Sequence, residues 1–315
     1  MLSSSPYFSI IIPTYCRPER LGLCLGAIAQ LDYPRDRFEV VVVDDGSNPP
    51  MESMMTPWLE VLPLRLIRQE NAGPASARNT GARQARGEFL IFTDDDCTPA
   101  VDWLSQLEHC AAQSPNHLIG GRTLNALPKN PYSTASQLLI DYLYDYYNAD
   151  SGEATFFASN NFALPADQFD QLGGFDVTFP LAAGEDREFC DRWLHQGLPM
   201  TYAPEMQINH THSLSLSKFW RQHFNYGRGA FHFHQIRSQR QSAPMQVEPL
   251  SFYWNLLIYP PTKGEGWRTP LLSGLFFLSQ VANVAGFFWE KYRQNHASRA
   301  NQFQKQKRKS RHAKG

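Results

Sequence analysis

The chain has 315 residues, 42% of them apolar, and a formal net charge of −1. That is enough for one large packed domain with room for appendages, and the near-neutral balance excludes a global attraction to nucleic acid. The five cysteines, Cys16, Cys24, Cys97, Cys110 and Cys190, have no paired spacing and read as free thiols of a reducing compartment. Residues 1–7 hold no basic stretch followed by an apolar run, so no signal peptide is expected there.

The first third alternates strand and helix. An apolar, β-rich run at 8–13 closes on Pro13, and Pro18 suits the first turn of a helix over 18–31. A second strand, 38–43, is almost wholly apolar, as expected of a parallel strand covered on both faces. It ends in Asp44-Asp45-Gly46-Ser47. A third strand at 64–68, a helix over 71–86 and a fourth strand at 89–93 follow. This order predicts an α/β fold with a doubly wound, mostly parallel sheet flanked by helices. Such sheets bind ligands at the carboxyl ends of their strands. Here three of those ends carry Thr14-Tyr15, Asp44-Asp45 and Asp94-Asp95-Asp96.

The aspartate triplet is the centre of the pattern. Three consecutive charges at a strand end cannot be buried without partners, and alternate carboxylates such as Asp94 and Asp96 can converge on one hard cation, Mg2+ or Mn2+. Downstream, helices are expected over 103–113, 133–147, 185–196 and 216–231, with strands over 118–124, 155–165 and 200–202. Trp103 and Trp193 are better placed for core packing than for stacking on a ligand.

The stretches Ile11-Ile12-Pro13-Thr14-Tyr15, Val43-Asp44-Asp45-Gly46-Ser47, Asn71 to Gly81, Asp94 to Asp96, Gly173-Gly174-Phe175-Asp176 and Glu185-Asp186 stand in one order along the chain. Together they make the chain resemble the inverting family 2 glycosyltransferases of the GT-A fold. The resemblance implies a nucleotide diphosphate sugar donor, UDP-linked in most of the family. Thr14 and Tyr15 would line the base, and Asp44 or Asp45 would accept from the base or the ribose. Arg78 would contact the nucleotide, Asp94 and Asp96 would hold the metal, and Asp95 would reach ribose or sugar hydroxyls. Asp186 would be the general base, with Glu185 orienting base or acceptor. His210 is a candidate third metal ligand. It is preferred over His212 on the expectation that the two side chains diverge along a strand. Tyr226-Gly227-Arg228-Gly229 matches a family element, which makes Arg228 a candidate phosphate contact. The acceptor, a glycan, a lipid-linked sugar or a small molecule, is left open.

The C-terminal part departs from the sheet pattern. Residues 271–289 form a nineteen-residue stretch without charge, preceded by the apolar run 252–259. A nucleotide-using domain before this segment and a Lys/Arg-rich tail after it both favour the cytosol. An interfacial helix or re-entrant pair is therefore expected rather than one full crossing, with the enzyme on the inner face of the cell membrane. The expected organisation is a glycosyltransferase domain at 1–235, divided into a nucleotide-sugar half (1–125) and an acceptor half (126–235). An apolar helical extension at 236–298 and a disordered basic tail at 299–315 complete it. Two competing readings are a sugar-phosphate nucleotidyltransferase and an inactive sugar-nucleotide-binding scaffold. The first needs a Gly-rich loop with Arg and Lys where Pro13-Thr14-Tyr15-Cys16 stands; the intact aspartates speak against the second.

Overall fold

The computed structural model describes residues 7–150, 152–179, 183–242, 245, 248–263 and 266–312, without side-chain detail at 267 and 297–312. The strands are β1 (Phe8–Thr14), β2 (Phe38–Asp44), β3 (Leu64–Arg68), β4 (Phe89–Thr93), β5 (Cys97–Pro99), β6 (Leu118–Asn125), β7 (Asn161–Pro165) and β8 (Met200–His210). The helices are α1 (Pro18–Ile28), α2 (Glu52–Leu59), α3 (Pro74–Gln84), α4 (Trp103–Gln113), α5 (Pro131–Tyr147) and α6 (Ala166–Leu172). After them come α7 (Glu185–His195), α8 (Leu216–Gln241), α9 (Leu250–Thr262) and α10 (Thr269–His312).

The strands form one sheet in the order β3-β2-β1-β4-β7-β6-β8-β5. The ladders from β3 through β4 are parallel, as the apolar strands imply. Beyond β4 the sheet turns mixed: β7 runs antiparallel to both β4 and β6, β8 is parallel to β6, and β5 is antiparallel to β8. Period-two alternation sorts the strand side chains to two faces. Ile10, Ile12, Val40 and Val42 pack with Leu21, Leu25, Trp103 and Leu107 on one face. Ile11, Val41 and Val43 pack with Ala77, Phe189 and Trp193 on the other. Both tryptophans are thus core residues.

A third core lies off the sheet, where Leu138 and Tyr142 of α5 meet Phe219 of α8, Phe252 and Leu256 of α9, and Leu272 and Phe276 of α10. The apolar extension is therefore packed onto the sheet domain. Helices α8 and α10 cross so closely that a Cβ on Gly227 would lie 1.8 Å from the Asn283 carbonyl oxygen, leaving room for hydrogen alone. One segment, Thr269–His296, is long and apolar enough to cross a membrane, and 33% of its apolar window is buried against the rest of the chain.

Several elements depart from expectation. The strand expected at 155–165 shrinks to β7, since its first half turns to hydrogen-bond Asn148 and Tyr147 at the end of α5. The strand expected at 200–202 runs on to His210, because β8 has both β6 and β5 to pair with. Helix α8 continues past 231 to Gln241, where Ser242 with φ 49° ends it. Helices α2 and α6 were not foreseen; α2 carries Pro57 inside it, and α6 is a two-turn connector ending at left-handed Gly173. Helix α10 is described as far as His312, within the stretch expected as a basic tail, whose Gln, Lys, Arg and Ala residues are good helix formers.

Candidate functional site

The carboxyl ends of β1, β2 and β4 lie side by side, with Thr14 in register with Asp44. The aspartate triplet fans out from β4 in three directions. Asp94, the most exposed of the three, accepts from Arg78 Nη2 at 2.7 Å. Asp95 is buried, accepting from Thr14 Oγ1 at 2.8 Å and Arg17 Nη1 at 3.2 Å. Burial pushes its carboxyl up to about 6, against the pull of Arg17. Asp96 meets Arg20 Nη1 at 2.7 Å on one oxygen and His210 Nε2 at 3.2 Å on the other. Burial alone would raise it, but the His210 hydrogen bond and the charges of His210, Arg17 and Arg20 hold it down at about 2.

Asp96, Cys97 and His210 place one donor atom each within 4.8 Å of one another. Cys97 is fully buried, which pushes its thiol up, and Mn2+ or Mg2+ prefers the carboxylate and the imidazole to a soft sulfur donor. His210 ends β8, and its ring stacks on that of His212, with centroids 4.9 Å apart and planes 15° from parallel. The expectation that these side chains diverge is corrected here: residues two apart in extended backbone share a face. Burial and the neighbouring His210 charge bring His212 down to about 4, so it is neutral at neutral pH.

Arg78 is the hub of the site. It is buried on α3 and bridges two sequence motifs, giving Nη2 to Asp94 and Nη1 to Glu185 Oε1 at 3.2 Å. Its guanidinium lies 5.7 Å from the centroid of the Phe175 ring. The next residue, Asn79, clasps the Phe175 backbone at both ends, donating to its carbonyl and accepting from its N–H at 2.8 Å each. Gly174 makes this clasp possible: its φ is 71°, and a Cβ there would lie 2.6 Å from Asn79 Oδ1. The two glycine-rich motifs are thus parts of one contact.

Glu185 and Asp186 open α7, where the free backbone N–H groups of a helix start favour acids. Burial and the adjacent Asp186 charge push the Glu185 carboxyl up to about 7. Burial also raises Asp186, although it accepts from the Arg187 N–H at 2.8 Å. Glu185 Oε2 is buried without a partner. Arg78, Asp94, Asp186, His210 and His212 line one end of a cavity of about 500 Å³ that extends between α5, α8, α9 and α10.

The second-strand acids divide the labour. Asp45 pins the loop before α3, accepting from Gln69 Nε2 at 2.7 Å and from the Ala72 and Gly73 N–H groups at 2.9 Å each. Asp44 closes its own turn onto the Ser47 N–H at 2.8 Å, and its buried Oδ2 accepts no hydrogen bond, with Arg68 Nε 3.9 Å away. Tyr15 is half exposed beside them, while Thr14 is buried. Arg228 turns away from the site to pair with Glu290 of α10 at 2.9 Å. Sequence reasoning missed Arg17 and Arg20, whose three-residue spacing from the N-cap into the first turn of α1 was the available signal. It also missed Gln222 and Tyr226, which line the cavity, hydrogen-bonded to each other at 2.8 Å.

A sheet with acidic strand ends, tied by one arginine to an acidic helix start above a cavity, has the architecture of a GT-A fold. The chain belongs to glycosyl transferase family 2, whose pattern matches residues 9–173. Glycosyltransferase AglE of Haloferax volcanii is 28% identical over 212 residues, covering 65% of this chain and 67% of that protein. Validoxylamine A glucosyltransferase of Streptomyces hygroscopicus subsp. jinggangensis is 30% identical over 231 residues, covering 64% of this chain and 55% of its own length. The match thus spans between about half and two thirds of these relatives. Among solved structures, mannosyltransferase PcManGT from Pyrobaculum calidifontis, in complex with GDP-Man and Mn2+, has a TM-score of 0.66 at 19% identity, covering 91% of this chain and 88% of that one. Staphylococcus aureus TarS 1–349 with UDP-GlcNAc has a TM-score of 0.52 at 17% identity, covering 91% and 92%. These two likenesses show the shared fold.

Proposed function

We propose that this chain transfers a sugar, with inversion, from a nucleotide diphosphate sugar, UDP-linked, to a hydroxyl acceptor at the inner, cytoplasmic face of the cell membrane. The observation that carries this reading is the Arg78 bridge, which ties Asp94 at the donor end to Glu185, beside Asp186, at the acceptor end. Thr14, Tyr15 and the Asp44–Asp45 pair hold the nucleoside. Arg17 and Arg20 sit where the diphosphate would gather negative charge. Glu185 and Arg78 hold the start of α7 so that Asp186 faces the cavity.

In this reading Asp186 takes the proton from the acceptor hydroxyl. The acceptor oxygen forms its bond to the anomeric carbon as the bond to the nucleoside diphosphate breaks on the opposite side. An α-linked donor then gives a β-linked product. Asp96 and His210, a hard oxygen donor and an imidazole drawn together at 3.2 Å, fit Mn2+ or Mg2+, and Asp94, paired here with Arg78, would complete the set by turning from that arginine. A bound ion would supply Lewis-acid charge to the diphosphate. Support for the relatives' chemistry comes from PcManGT with GDP-Man and Mn2+ and TarS with UDP-GlcNAc.

Asp186→Asn keeps the shape of the side chain and removes the base. Transfer should fall by about 10²–10⁴-fold, the usual contribution of a general base. UDP binding, measured by calorimetry, should persist. Wild-type transfer by this variant would sink the assignment.

A further inference from the structure

We infer that the acceptor is an amphiphile, a hydroxylated headgroup on a long alkyl or isoprenoid chain, whose tail leaves the site between α9 and α10. The inference rests on the glycosyl-transfer reading and adds the chemical class of the acceptor. The cavity that begins at Asp94 and Asp186 changes character along its length. Past Tyr226 and Gln222 its lining is mostly apolar, Leu143 of α5, Phe233 of α8, Leu256 of α9 and Val284, Phe287 and Phe288 of α10, with the polar Gln280 and Asn283 between them. A single sugar ring could stack on one of these phenylalanines but would not fill a wall built from four helices, whereas burying an alkyl chain along it is favourable per methylene.

The apolar end opens outward. Tyr253, Val284 and Phe288 line the cavity and are also 39%, 55% and 58% exposed, so the passage reaches the surface there. That surface is itself apolar. Leu250, Trp254 and Ile258, spaced four apart on α9, are exposed. So are Phe277, Val281 and Trp289 on α10. An apolar side of the cavity, with Gln280, Asn283 and the Arg187–Glu248 pair beside it, therefore leads from the carboxylates to a helical face suited to lipid. This continuity decides the occupant. A second copy of the chain docked on the outer face would leave the inner passage unexplained, but a lipid tail fills both.

The test uses the full chain, a nucleotide sugar donor and alkyl glycosides that share one headgroup and carry methyl, octyl or dodecyl tails below their micelle concentrations. Apparent affinity is read as product formation or as inhibition of donor hydrolysis, so a headgroup that is not glycosylated still reports. Affinity should rise by roughly four-fold per methylene, the equivalent of burying each one, until the passage is full. Phe288→Asp at the mouth should collapse the dodecyl-to-methyl ratio toward one. Trp254→Asp, outside the cavity, should keep that ratio while weakening binding to liposomes of mixed neutral and anionic lipid. Equal affinity for methyl and dodecyl compounds in the wild type would overturn the inference and leave glycosyl transfer standing. A tail preference that survives Phe288→Asp and vanishes in Trp254→Asp would overturn it too, as adsorption to the outer face. Absence of both UDP binding and donor hydrolysis would remove the reading beneath it.

Discussion

The strand ends of β1, β2 and β4 and the cavity between α5, α8, α9 and α10, proposed above as the donor and acceptor sides, are built on different plans. Around β1, β2 and β4, nearly every carboxylate oxygen is engaged: Asp45 by Gln69, Ala72 and Gly73, Asp95 by Thr14 and Arg17, Asp96 by Arg20 and His210. The cavity side has apolar walls contributed by four helices, while buried polar atoms without a hydrogen bond occur on both sides, Asp44 Oδ2 and Thr93 Oγ1 as well as Gln222 Oε1 and Glu185 Oε2. A nucleoside diphosphate has fixed shape and charge and rewards a preorganised cradle. A varied acceptor is better served by a cavity whose walls are side chains on helices, which can change without disturbing a sheet. The few groups spanning both plans, Arg78 foremost, should therefore be the sensitive ones.

The largest expected effect comes from the metal. Chelation should abolish transfer, Mn2+ or Mg2+ should restore it, and Asp96→Asn should raise the metal concentration needed at half-maximal rate; wild-type metal dependence in that variant would separate Asp96 from the ion. Next is Arg78→Met, which leaves Glu185 buried without its cation. Breaking such a pair destabilises by roughly 3–5 kcal/mol, read from denaturant midpoints, and an effect under 1 kcal/mol would show that the two halves are not joined through this residue.

Smaller is a pH effect with a definite sign. The folded Glu185 carboxyl, raised to about 7 from an ordinary 4.5, favours folding when protonated. Its contribution is present below 4.5 and lost as pH rises through about 7, an effect on the order of 3 kcal/mol. Glu185→Gln should therefore gain thermal stability relative to wild type between pH 5 and pH 8, and a constant difference across that interval would contradict the assignment. Smallest is Gly174→Ala, which forces a side chain into a left-handed backbone and against Asn79. About 1–3 kcal/mol of stability should go, with KM for the donor changing little.

The parts that were legible in the sequence are those whose physics is local. Charged triplets cannot remain inside a strand, so Asp94 to Asp96 had to mark a mouth; unbroken apolar runs such as 38–43 had to be covered on both faces. Helix-start chemistry likewise placed Glu185 and Asp186. What was hidden depends on partners far along the chain. Arg78 meets Glu185 across 107 positions, and nothing near either residue announces the pairing. Nor does the sequence near Asp96 reveal Arg20, and His210 was joined to Asp96 only through the family resemblance. The length of β8 was missed for the same reason: it is held by β6 and β5, not by its own propensity. His212 was misread for a different reason, the geometry of alternate residues, and that was knowable in advance.

The tight crossing of Gly227 over Asn283 has a practical side. Helix α10 is at once the hydrophobic outer rod and an inner wall of the cavity, held against α8 where only hydrogen fits. A chain shortened before Thr269 to make it dissolve more readily would lose Val284, Phe287 and Phe288, and Arg228 would lose Glu290. Such a fragment could still take up nucleotide sugar while leaving its acceptor end open to water, so that hydrolysis of the donor would replace transfer.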